Sequence, residues 1–117
     1  MPKNTLNIQA QINAKVLKAY SKMNTLIDSP DVKLDPPKQL RSCSAETRQI
    51  YSKKDGKFLG TILRSYKTLI AFYDAQENET YDFLRYAYCF TSTSAQHFSK
   101  FWHDYGFNST VYRYYSI

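Results

Sequence analysis

Residues 50–63 read Ile50-Tyr51-Ser52-Lys53-Lys54-Asp55-Gly56-Lys57-Phe58-Leu59-Gly60-Thr61-Ile62-Leu63. Asp-Gly between two runs of alternating character is a strong hairpin signal, because glycine takes the positive φ that a tight turn requires. Working outward, residues 66–73, YKTLIAFY, are β-branched and aromatic and predict a central strand. Asp74 to Glu79 forms an acidic turn, and residues 80–90, TYDFLRYAYCF, alternate again as a further strand. Thr91 to Ser94 supplies hydroxyls that can cap a helix. Ala95, Phe98, Phe101, Trp102 and Tyr105 follow at helical spacing, with Gly106 suited to the position after the helix end. Ser109 to Ser116 reads as a short last strand.

Upstream, residues 5–27 carry an apolar stripe at Leu6, Ile8, Ile12, Val16, Leu17, Ala19, Tyr20, Met23 and Ile27, the period of an amphipathic helix. Asn4 or Thr5 is the expected N-cap, and Lys15, Lys18 and Lys22 are expected on the opposite, solvated face. Residues 28–38, DSPDVKLDPPK, hold three prolines and three aspartates, which resist helix and central strand alike. This linker predicts a helix set apart as an arm, which could also swap onto a second subunit. The whole is an α+β fold in a single domain, 1–117: N-terminal helix, antiparallel meander of three to five strands, C-terminal helix and final strand.

Length and composition agree with one domain. The chain has 117 residues, 43% hydrophobic and 16% aromatic, too aromatic for a disordered basic tail. No run approaches the roughly 20 apolar residues of a membrane span. The N-terminus lacks a signal-type apolar core, so a cytoplasmic protein without membrane contact is expected. Cys43 and Cys89 are expected as reduced thiols, and with His97 and His103 they give no metal-type spacing.

The net charge is +6. Between residues 39 and 73, Arg41, Arg48, Lys53, Lys54, Lys57, Arg64 and Lys67 stand against only Glu46 and Asp55, whereas the chain after Asp74 is net acidic. Such polarity favours oriented approach to an anionic partner. The same lysines could equally do no more than solvate the surface and block strand edges. Tyrosines on strands next to basic residues can stack bases or anchor an interface, so the candidate binding residues are Arg41, Arg48, Tyr51, Lys53, Lys54, Lys57, Arg64, Tyr66 and Lys67.

Catalytic chemistry is thin. His97 and His103, six residues apart on a helix, do not share a face. A Ser94–His97 contact is geometrically easy but is more often a cap than a dyad. Asp74, Glu77, Glu79 and Asp82 cluster on a turn and read as a solvated acidic loop, and three glycines leave no phosphate loop. No enzyme activity and no cofactor are expected.

Ser65-Tyr66-Lys67-Thr68-Leu69-Ile70-Ala71, followed by Tyr88-Cys89-Phe90-Thr91-Ser92-Thr93-Ser94 and His97, resembles small uncharacterised phage and mobile-element proteins. Those carry Ser-Tyr-x-Thr-x-Ile-Ala and then Tyr-Ser-x-Thr-Thr-Ser-x-His. The resemblance spans roughly residues 58–103. Its first half matches closely; in the second, Cys89 stands for Ser and the His is displaced. It implies a phage-type accessory protein. The leading expectation is a non-catalytic inhibitor, of the anti-CRISPR kind, that binds a host protein or ribonucleoprotein complex. Direct DNA or RNA binding through the basic hairpin is the second expectation. A structural or replication-complex subunit that forms a homodimer through residues 5–27 is the third.

Overall fold

The computed structural model describes residues 2–87 and 92–115. Its elements are α1 (Pro2–Asp28), β1 (Val32–Leu34), β2 (Lys38–Gln39), β3 (Ala45–Ser52), β4 (Phe58–Ser65), β5 (Thr68–Asp74), β6 (Glu79–Asp82), α2 (Leu84–Ala87), α3 (Ser92–Tyr105) and β7 (Thr110–Arg113). This is the α+β architecture of the sequence reading. The strands form one sheet in the order β1-β3-β4-β5-β6-β7, with β2 also paired to β3. All pairings are antiparallel except β6–β7, which is parallel because α3 carries the chain across the sheet before the last strand.

The expected hairpin is present. Gly56 has φ +69°, its amide donates to the Ser52 carbonyl, and the Asp55 carboxylate accepts the Lys57 amide. The second turn differs from expectation. Tyr66 and Lys67 are not strand residues but the two-residue turn between Ser65 and Thr68, with Tyr66 at φ +58°. The polar run Ala45–Gln49, which alternation alone did not mark, extends β3 because β4 is long enough to pair with all of it. The linker supplies β1 and β2 as short edge pieces, a place where proline is tolerated.

The strand expected over 80–90 ends at Asp82. The Asp82 carboxylate accepts the Leu84 amide at 2.9 Å and turns the chain into α2. Tyr88, Cys89, Phe90 and Thr91 lie outside the described residues, and with them the first part of the Thr91–Ser94 cap. Asn4 and Thr5 lie within α1, which starts at Pro2, a residue suited to a first helical turn. Gly106 follows α3 without a positive φ; a Cβ there would run into the Thr80 hydroxyl, so close approach is what requires glycine.

Each face of the sheet carries its own core. On one, Val16, Ala19 and Met23 of α1 pack on Ile50, Leu59, Ile62, Phe72, Tyr81 and Phe83. On the other, Phe98 and Phe101 of α3 pack on Leu40, Ala45, Leu63, Ile70, Ala71 and Leu84. The extended linker thus returns α1 onto the sheet of its own chain rather than leaving it as an arm, since its stripe would otherwise face water. Asn13, buried in α1, holds Tyr115: its side chain donates to the Tyr115 carbonyl at 2.5 Å and accepts the Tyr115 amide at 3.0 Å. Among the described residues no helix is long and apolar enough to cross a membrane.

Candidate nucleic-acid interface

The acidic turn is solvated only in part: Glu77 is exposed, whereas Asp74 and Asp82 are buried. Asp74 is 3% exposed; one carboxylate oxygen accepts the amides of Gln76 and Glu77, and the other accepts Lys22 Nζ at 2.6 Å. Lys15 pairs with Glu79 at 3.1 Å and lies over the Tyr112 ring. Lys15 and Lys22 therefore flank the buried stripe of α1 instead of occupying its far side. Burial pushes the Glu79 carboxyl up, but bonds from Tyr81 and Lys15 outweigh it and hold it below the ordinary value. Asp82 pairs with Arg113 at 2.8 Å, and burial raises its carboxyl against the pull of the Leu84 amide and Arg113. The acidic end of the sheet is thus largely neutralised by cations of its own chain.

The nine sequence-selected residues fall into separate groups. Arg41 is engaged: its guanidinium makes bonds of 2.9 and 2.7 Å to Asp104 and holds that carboxyl down to about 2. Arg48 donates through Nε to the Asp35 carbonyl at 2.8 Å, strapping the linker to β3. Arg48 and Arg64 share the α1 side of the sheet, around a dent of only about 60 Å³ with Glu46. Tyr66 and Lys67 sit exposed at the β4–β5 turn, at the opposite end of β4 from Lys53, Lys54 and Lys57.

The group that stays together is Tyr51, Lys53, Lys54 and Lys57. The three lysines surround the β3–β4 turn, are exposed, and form no ion pair among the described residues. Tyr51 lies opposite Phe58 in register, with ring centroids 5.5 Å apart, and Phe58 is 6.5 Å from Tyr73. The row therefore crosses β3, β4 and β5 on the face that carries α3. Tyr73 packs against the α3 core, whereas Tyr51 and Phe58 belong to neither core. Their own bonds fix the two phenols: Tyr51 donates to Gln49 Oε1 at 2.6 Å and Tyr73 to Asn78 Oδ1 at 3.0 Å. Lys33 pairs in register with Tyr51 and so shares its face. A depression of about 440 Å³ opens between Lys33, Asp35, Tyr51, Ser52, Lys53 and Gly56.

Phe58, Tyr73 and Lys33 were not among the sequence candidates. Phe58 was within reach: once Asp55-Gly56 closes the turn, Ser52 faces Lys57 and Tyr51 faces Phe58. Lys33 was not, because its register depends on how the linker returns to the sheet.

His97 meets the hydroxyl of Ser65, at the end of β4. Ser65 Oγ lies 2.8 Å from His97 Nδ1, with both residues buried, and the Tyr66 ring is 6.1 Å from the imidazole. Burial first, and Lys100 second, hold the imidazole below its ordinary value. The pair is enclosed, so it offers a substrate no approach and reads as a link between α3 and the end of β4. His103, by contrast, is exposed. Among the described residues no three His, Cys, Asp or Glu side chains converge as a metal site. Compared with protein families, curated proteins and solved structures, the chain matches none.

Proposed function

We propose that the protein is a non-catalytic accessory binding protein whose lysine-tipped hairpin engages an anionic partner. One observation carries the reading: the acidic turn is paired internally with Lys15 and Lys22, while Lys53, Lys54 and Lys57 keep their charges unpaired. The phage-like pattern supplies the setting. In that setting the partner is a nucleic-acid-handling or defence complex of the host, inhibited by occupation in the anti-CRISPR manner, within the host cytoplasm. Self-association through residues 5–27 has little apolar surface to use: the sheet of the same chain takes the stripe, and Ile8 and Leu17 are the large apolar side chains of residues 7–28 left exposed.

Retention on an immobilised polyanion tests the reading. A K53Q/K54Q/K57Q variant is expected to elute at clearly lower salt than the parent, and more so than R48Q/R64Q/K67Q, which removes the same charge elsewhere. Equal elution of the two variants would contradict a hairpin-centred contact. For the host complex, a pull-down with and without nuclease separates the routes; a catch that vanishes with nuclease places the contact on nucleic acid.

A further inference from the structure

We propose that the hairpin end of the sheet binds unpaired nucleobases, with Tyr51, Phe58 and Tyr73 as the stacking row and the surrounding lysines on the phosphates. The inference rests on the reading that the hairpin engages an anionic partner, and it narrows that partner to single-stranded nucleic acid.

The argument starts from the uneven cover of the sheet. α1 packs over one face, reaching contacts with β1, β5, β6 and β7. On the other face α3 packs on β4 and β5 around Leu63, Ile70 and Ala71. Beyond Tyr73 the sheet continues toward the β3–β4 turn with Phe58 and Tyr51, which stay half-buried and which, among the described residues, belong to neither helix-covered core. A solvated β-face normally carries polar side chains. Aromatic rings from three successive strands there are instead a surface with π-faces and edges available to a flat ligand.

The chemistry around the row selects the ligand. Lys33 and Lys53 border it on the side of β1 and the turn, and Lys54 and Lys57 stand exposed in the turn beyond. Gln49, whose Oε1 takes the Tyr51 hydroxyl, leaves its amide donors for a polar edge. The nearby carboxylates are Asp31, Asp35 and Asp55, and Asp55 is turned back onto the Lys57 amide. Flat aromatic rings together with a cationic rim match a chain of bases on a phosphate backbone. Unstacked bases can lie on such rings; bases locked inside a duplex cannot. An acidic protein surface would use the lysines but would leave the aromatic row without a role.

Fluorescence anisotropy at low salt with three labelled probes tests this: a ten-nucleotide single strand, the duplex of the same sequence, and an abasic oligomer with the same number of phosphates. The single strand is expected to bind about tenfold or more tighter than either of the others. Y51L/F58L, which keeps apolar volume but removes both rings, is expected to erase that preference and to retain polyanion binding; thermal melting checks that it folds. Tyr51→Phe is expected to keep the preference, and Tyr66→Ala, at the other end of β4, to leave it unchanged. Equal affinity for single strand and abasic oligomer, or a preference that survives in Y51L/F58L, would overturn the stacking inference while leaving the anionic-partner reading intact. No binding to any probe would overturn both.

Discussion

Ser65 and His97 are 32 positions apart in sequence and 2.8 Å apart in space. Because burial depresses the imidazole, the unfolded chain binds a proton that the folded chain resists. Stability therefore holds above the ordinary histidine value of 6.5 and is lost as the pH falls below it. Urea midpoints at about pH 7.5 and about pH 5.5 are expected to show the loss, and His97→Gln to shrink the difference. Ser65→Ala, which leaves a buried ring nitrogen unpartnered, is expected to cost about 1–3 kcal/mol by the same assay. Gly60 marks another single-residue constraint: a Cβ there would press on the Tyr73 carbonyl oxygen and lie 2.9 Å from the Phe72 ring. Gly60→Ala is expected to lower stability by about 1–3 kcal/mol, read from the melting temperature. Neither contact was legible in the sequence, since each depends on register across the sheet. The spacing placed the histidine on a helix and left open which hydroxyl it would meet.

At the scale of elements, α1 shows what periodicity can and cannot tell. Its stripe was legible, and Val16, Ala19 and Met23 are buried as the pattern requires. The direction of its lysines was not, because the acidic turn that draws Lys15 and Lys22 lies more than fifty residues downstream. The Lys22–Asp74 pair is unequal: the Lys22 side chain is 39% exposed and the Asp74 side chain 4%. Lys22→Ala is therefore expected to cost no more than about 1 kcal/mol. Asp74→Ala strips the Gln76 and Glu77 amides as well, and is expected to cost about 1–3 kcal/mol in denaturant titration. A larger loss from Lys22→Ala than from Asp74→Ala would show that the ion pair, not the turn, carries the stabilisation. Over residues 83–87 the expected 80–90 strand gives way to α2 for a related reason. Its alternation is real, but the Asp82 carboxylate bonds the Leu84 amide and ends β6 there.

At the scale of the molecule, the two helices cover the two faces of one sheet unequally, and the internal ion pairs neutralise much of the acidic end. The hairpin, the order of elements and the basic bias of residues 39–73 were all legible. The division of that basic group was not, because strand register sends Arg48 and Arg64 to one face and Tyr51 to the other, while Arg41 closes on Asp104. The account holds that the contact surface is the open, aromatic end of the α3 face. Backbone amide shifts, followed by NMR while a single-stranded oligonucleotide is added, test this most directly. Perturbations are expected to centre on Lys33, Gln49, Tyr51 to Phe58 and Tyr73, with Arg41, Arg48 and Tyr66 unmoved. Perturbations centred on Arg48, Arg64 and Lys67 would contradict it.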